Sequence, residues 1–205
     1  MPPTNPARRQ ALTDAAIELL ASSGAHGLTH RAVEKAAGLP PGTASNYFRS
    51  REALLVAAAE RIVELHHTDT DRAVGQPATL VDLLTESLLT AATTLRDRYL
   101  AIFELQLEAA RRPALASALA SLQDTAVLVT AGHHDQLGLT IPREKIPALI
   151  ALYGGTLFTL VSAPPGSVSR DVVQNVVQVM VYGCIEDVQA RKGQSTAKLF
   201  GRDGE

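Results

Sequence analysis

Within five consecutive positions the chain places Thr43, Ser45, Asn46 and Tyr47, four side chains that can form hydrogen bonds, around Ala44 and just ahead of Phe48. No Ser-His-Asp order, glycine-rich phosphate loop or metal motif accompanies them, so their chemistry is recognition rather than catalysis. On a helix, Ala44 and Phe48 share one side, Thr43, Asn46 and Tyr47 point elsewhere, and Ser45 lies on a flank. A helix that enters the major groove of DNA needs this division: small or hydrogen-bonding side chains toward the base edges and apolar ones behind. Gly42 and Ala44 allow close approach. Asn46 can pair bidentately with adenine, and Tyr47 can set its hydroxyl on a phosphate while its ring packs.

The flanking segments are helical by pattern. Leu12, Ala15, Ala16, Leu19 and Leu20 recur at helical spacing, and Gly24 supplies a C-terminal stop. Thr29 is a candidate N-cap for a second, short helix whose apolar side is Val33, Ala36 and Ala37, ended by Gly38. Pro41 suits the first position of the third helix. Ser50 can cap a fourth, striped by Leu54, Ala58, Ile62 and Leu65. Short turns at 24–27 and 38–40 between three helices fit a helix-turn-helix. The pattern breaks around "DTDRAVGQPAT", which marks a domain boundary. Beyond it, Thr79 with Asp82 forms a variant capping box. Helices are predicted from Leu80 to Arg112 with a break near Arg96, from Pro113 to near Gly138, from Pro142 to about Ala163, and from Ser169 to about Lys192. Two domains are therefore expected, 5–66 and 77–192, with a frayed tail over 193–205, in an all-α fold.

Charge is distributed in keeping with a phosphate-facing amino terminus. The chain of 205 residues carries a formal −2, yet over residues 1–52 six cationic side chains stand against four anionic ones, a local +2. The uncharged run "IPALIALYGGTLFTLVSA" approaches the length of a membrane span, but its Pro147, Gly154-Gly155 pair and hydroxyls favour a buried helix, and no membrane partner is expected. The start "MPPTNPARRQ" lacks the apolar stretch of a secretion signal, and the single cysteine, Cys184, permits no intrachain disulfide; a cytoplasmic setting is expected.

The run "GLTHRAVEKAAGLPPGTASNYFRSREALLVAA" resembles the DNA-binding module of TetR-type transcriptional regulators, over about residues 8–65. The ordered set is the Leu28-Thr29 helix start, the "AAGL" turn, the "GT…YF" helix, and a basic residue with Glu ahead of Ala-Leu. "IFELQLEAARRPAL" resembles, more loosely, the ligand domain of one branch of that family. The resemblance implies a helix-turn-helix domain followed by a larger antiparallel helical domain for ligand binding and dimerisation, and no enzymatic activity, cofactor or catalytic residue. It places Thr29, Tyr47 and Arg51 on phosphates, Thr43, Ser45 and Asn46 in the groove, and His30 and Arg31 on the DNA backbone; Arg8 and Arg9 add reach from the first helix. Three departures stand out. Pro40 replaces a frequent Ser before the recognition helix, so a hydroxyl cap is missing. Arg51 replaces a frequent Lys. Ala44 and Ser45 stand where a bulkier residue and a Tyr are common, which implies a distinct operator.

The remaining constellations are weighed against that reading. His66 with Asp69 and His67 with Asp71 have spacings that can hold a cation, and a helical metal-dependent enzyme is the alternative they support. His133-His134-Asp135 is a weaker version. Glu104 and Glu108 share a helix face, but Arg111 and Arg112 follow at ion-pair spacing. Leu149, Leu152, Leu157 and Leu160, with Val172, Val173, Val176, Val177 and Met180, offer more apolar surface than one small domain buries, and a homodimer through the last two helices is expected. Tyr99, Phe103 and Gln106 on one helix and Tyr153, Thr156 and Phe158 on another are candidates to line a pocket for a small, mostly apolar effector. The expected function is that of a homodimeric repressor released by such an effector from a palindromic, double-stranded operator; a ligand-independent regulator or activator is the rival within the same class.

Overall fold

A computed structural model describes residues 5–72, 79–122 and 143–183, without the side chains of residues 70–72 and 143. All regular structure among them is helical. The helices are α1 (Pro6–Gly27), α2 (His30–Ala36), α3 (Thr43–Tyr47), α4 (Arg51–Arg72), α5 (Leu80–Ala92) and α6 (Arg96–Ala109). Then come α7 (113–122), a short 3-10 turn (Arg143–Lys145), α8 (Ile146–Ser162) and α9 (170–183). Among the described residues, no helix is long and apolar enough to cross a membrane.

Local capping chemistry sets most of the starts. Thr29 accepts from Ala32 N at 3.1 Å, and Ser50 accepts from Ala53 N at 3.1 Å. Thr79 accepts from Asp82 N at 3.1 Å and donates its hydroxyl to Asp82 Oδ2 at 2.7 Å. Each of the three bonds from a backbone N–H satisfies a first-turn donor that has no partner inside its helix. One start differs from expectation. Pro41 and Gly42 form the turn before α3 rather than its first residues, because Gly42 has φ 82°, a left-handed conformation that cannot continue a right-handed helix.

The chain packs as two compact units, Met1–Gln76 with Thr90–Ala126, and Pro77–Leu89 with Val127–Glu205. This partition cuts differently from a division at 5–66 and 77–192. α6 and α7 belong with the amino-terminal helices, since Ala101, Ile102, Leu105, Leu115 and Leu119 share one core with Leu12, Leu20, Leu28, Leu54 and Ile62. In this first unit Arg61 bonds Asp14 Oδ1 at 2.8 Å and Glu64 at 3.2 Å, tying α4 to α1. The Asp14 bond is the main reason the Arg61 pKa is raised further. Arg98 pairs with Asp69 at 2.5 Å, joining the start of α6 to the end of α4.

The second unit buries Leu80, Leu88, Leu149, Leu157, Val161, Val173, Val177 and Met180. Arg170 pairs with Glu86 across it, and the hydroxyls of Ser87 and Tyr153 lie 2.6 Å apart. Of the side chains expected at a dimer face, Leu149, Leu157, Val173, Val177 and Met180 are thus core within the unit. Leu152, Val172 and Val176 are exposed, together with Phe158, Val179 and Tyr182.

Candidate nucleic-acid interface

α3 is one and a half turns long, and its two inward side chains are fully committed. Ala44 is 0% exposed and Phe48 3%. Ser45 and Asn46, between them, are exposed. This is the division that the residue types dictate: the apolar pair anchors the helix and the polar pair faces out. Thr43 is half-buried, and its hydroxyl donates to Pro40 O at 2.6 Å, closing the turn that leads into the helix. Tyr47 is half-buried; its hydroxyl donates to Asn5 O at 3.3 Å and accepts from Asn5 N at 3.2 Å, so it meets the residue that caps α1.

Several candidate contact residues also hold the domain together. His30 Nε2 lies 2.8 Å from Phe48 O, linking the start of α2 to the end of α3. Arg9 sits 5.7 Å from the Phe48 ring centroid and 3.4 Å from Glu60. Arg51 donates from Nε to Leu28 O at 3.2 Å and from its terminal nitrogen to Ala25 O. Two nitrogens on one edge of its guanidinium therefore donate to carbonyls at the end of α1, and Ala25 O also accepts from Leu28 N at 3.2 Å. Arg8, Arg31, Lys35 and Arg49 are exposed.

Three contacts went unread in the sequence. Glu34, only 5% exposed, reaches from α2 to accept from Ala44 N at 2.7 Å. The carboxylate thus stands in for the missing hydroxyl cap; the signal was an acid on a helix too short to leave it a free face. The Arg51 carbonyl contacts form the second. The third is Glu104 of α6, whose Oε2 accepts from Ala25 N at 2.9 Å, at the break in α1 created by Gly24.

Within the constellations that offered other chemistry, the carboxylates of Asp69 and Glu108 are held in ion pairs. Asp69 is held by Arg98, and the side chain of Asp71 lies outside the described residues, as do His133, His134, Asp135 and Cys184. Among the described residues, no group of three or more His, Cys, Asp or Glu is placed to hold a metal. Burial, then the Arg98 charge, lowers the pKa of His66. Glu108 accepts from Arg112 at 2.8 Å, which holds its carboxyl below the usual range. Its ionised form therefore supports the fold above the ordinary carboxylate pKa, and that support is lost as pH falls through the lowered one. Glu108→Gln is expected to lower the unfolding midpoint slightly at neutral pH and to converge with the wild type as pH falls through the lowered pKa, which flattens the acid limb of a plot of midpoint against pH.

Of the candidate effector residues, Tyr99, Phe103 and Gln106 stand on α6 in the first unit and Tyr153, Thr156 and Phe158 on α8 in the second. Tyr99, Phe103, Tyr153 and Thr156 are half-buried, while Gln106 and Phe158 are exposed. Burial raises the Tyr99 pKa.

Comparison with known proteins finds two family models along the chain. Residues 12–58 match the family model described as bacterial regulatory proteins, tetR family, and residues 75–183 match the one described as tetracyclin repressor-like, C-terminal domain. The HTH-type transcriptional regulator BetI of Rhizobium meliloti (strain 1021) is 34% identical over 74 residues, a stretch that spans 36% of this chain and 36% of that relative. The multidrug-binding protein EbrR, crystallised with ethidium, is 26% identical with a TM-score of 0.64, over 84% of this chain and 98% of its own. A TetR-family member from Streptomyces coelicolor A3 is 28% identical with a TM-score of 0.63, over 85% of this chain and 98% of its own. A transcriptional regulator from Rhodococcus sp. Rha1, 18% identical, shares the fold with a TM-score of 0.73 over 87% of this chain and 96% of its own. With the second family model alone covering more than half of its length, the chain belongs to the TetR family of transcriptional regulators and carries that family's helix-turn-helix DNA-binding domain at its amino terminus.

Proposed function

We propose that the protein is a homodimeric repressor that reads a palindromic operator and is released from it by a small, mostly apolar effector. The observation that carries the DNA reading is the outward pair Ser45 and Asn46 on a helix whose other side, Ala44 and Phe48, is buried. Ser45 and Asn46 meet base edges, with Thr43 and Tyr47 beside them. Thr29, His30, Arg31 and Arg51 surround the helix, and the exposed cations Arg31 and Arg49 meet phosphates. The dimer is supported by the apolar side chains left exposed on α8 and α9, Leu152 at 50%, Phe158 at 53%, Val172 at 57% and Tyr182 at 54%. A two-fold pair of recognition helices would read successive major grooves of a palindrome.

The effector reading is supported by a structural likeness and by a buried hydroxyl. EbrR, which was crystallised with ethidium, aligns over most of this chain. In the second unit Tyr153 and Thr156 are half-buried, and Thr85 is 1% exposed with no hydrogen-bond partner for its hydroxyl among the described residues. A buried, unpartnered hydroxyl carries a desolvation cost of about 1–3 kcal/mol, which a ligand's polar group can offset. Thr85→Val is accordingly expected to keep or raise the unfolding midpoint, and to diminish the midpoint shift that ethidium produces in the absence of DNA. A shift equal to that of the wild type would remove Thr85 from the effector site.

The deciding experiment selects duplexes from a random DNA pool with purified protein at physiological salt. A palindrome is expected, and it should be lost with Asn46→Ala, a change that deletes a bidentate base contact valued at about 1–3 kcal/mol. If folded wild type enriches no sequence, the operator reading fails.

A further inference from the structure

Glu34 is the one acidic residue between Glu18 and Glu52, a stretch that otherwise carries the exposed cations Arg31, Lys35 and Arg49. An acid there weakens attraction to a polyanion. Its presence therefore calls for a structural reason, and the surroundings of α3 supply one.

α3 has five residues. A helix that short cannot hold itself, because its first turn fixes several backbone dihedrals for one hydrogen bond. Its N-cap, Gly42, has no side chain to bond the first-turn N–H groups, and Pro40 before it has no hydroxyl. The hydroxyl of Thr43 is directed back to Pro40 O. The remaining acceptor is Glu34 Oε1, 2.7 Å from Ala44 N. The same residue also closes the turn through its main chain, since Glu34 O accepts from Leu39 N at 2.9 Å. One residue of α2 thus fixes both the turn and the first turn of the helix that follows, and Ser45 and Asn46 are the next two residues after the capped one.

We infer that Glu34 is a positioning residue for sequence discrimination: by capping α3 across the turn, it holds Ser45 and Asn46 in the register that reads base edges. The inference rests on the DNA reading proposed above. Sequence-independent binding depends on cations meeting phosphates and is insensitive to the geometry of one helical turn. Sequence-specific binding requires that geometry. Loss of the cap therefore lowers the preference for the operator over other DNA, rather than all binding in proportion.

The test uses the full chain and two probes, the duplex enriched by wild type from the random pool and a scrambled duplex of equal length. Glu34→Ala removes the acceptor and is expected to lower affinity for the enriched duplex about five- to thirty-fold, as loss of an N-cap does, with scrambled binding unchanged or stronger. Glu34→Gln keeps an acceptor oxygen of the same reach, and its ratio of enriched to scrambled affinity is expected to stay within about threefold of wild type. Unfolding midpoints are measured for both. A parallel loss of enriched and scrambled binding in Glu34→Ala would mean a merely less folded protein and would overturn the proposal. So would a loss of discrimination in Glu34→Gln as large as in Glu34→Ala. Failure of the wild type to enrich any duplex would instead defeat the DNA reading itself, which separates the two failures.

Discussion

Replacing Gly24 by Ala is expected to lower the unfolding midpoint by roughly 5–10 °C, the effect of about 2–3 kcal/mol in a chain of this size. Gly24 breaks α1 with φ 65° and ψ 179°, a region essentially closed to residues with a Cβ. The space is also taken. A Cβ at this position would stand 3.2 Å from Glu104 Oε2, the atom that accepts from Ala25 N at 2.9 Å. The added methyl therefore strains the backbone and displaces the carboxylate that satisfies the chain just past the break. Gly42 provides the comparison: it has φ 82° and ψ −6°, and nothing lies within 4 Å of its would-be Cβ. Gly42→Ala carries only the left-handed strain, about 1–2 kcal/mol. Thermal unfolding of the two variants side by side checks the ranking. Equal midpoints would mean that Glu104 yields without cost and that its bond to Ala25 N adds little to the first unit.

These two glycines also mark how far the sequence could be read. Thr29, Ser50 and the Thr79–Asp82 pair were legible as caps because each bonds an N–H three residues away. The apolar anchors Ala44 and Phe48 followed from helical spacing. By contrast, Glu34 on Ala44, Glu104 on Ala25 and Arg51 on Ala25 and Leu28 join segments separated by 10, 79, 26 and 23 positions. No periodicity encodes such pairs; they exist only once the helices have packed. The grouping of α6 with the amino-terminal core escaped for the same reason. Ala101, Ile102 and Leu105 give α6 an apolar side, but a side alone does not say which neighbour will cover it.

Arg51 gives the sharpest separation between reading by likeness and reading by contact. The family resemblance assigns it to a phosphate, whereas its guanidinium bonds Leu28 O and Ala25 O at the end of α1. Both assignments predict weaker operator binding for Arg51→Ala, by roughly tenfold or more, since hydrogen bonds to a charged group contribute about 1.5–3 kcal/mol. They differ in salt dependence. A phosphate contact releases a counterion, so its loss flattens the plot of log K against log salt by about 0.9 per contact, or about 1.8 for a two-fold complex. A residue that only ties α4 to α1 shifts the plot without changing its slope. The expected result is the parallel shift, together with a lower unfolding midpoint, because the guanidinium bonds to Leu28 O and Ala25 O are lost, although Ala25 O keeps Leu28 N as a donor. Arg51→Lys should recover little of either, since one ammonium cannot reproduce a planar fork that meets two acceptors. A flattened slope with an unchanged midpoint would return Arg51 to the phosphate backbone. It would also mean that the contacts with Ala25 and Leu28 open when DNA binds.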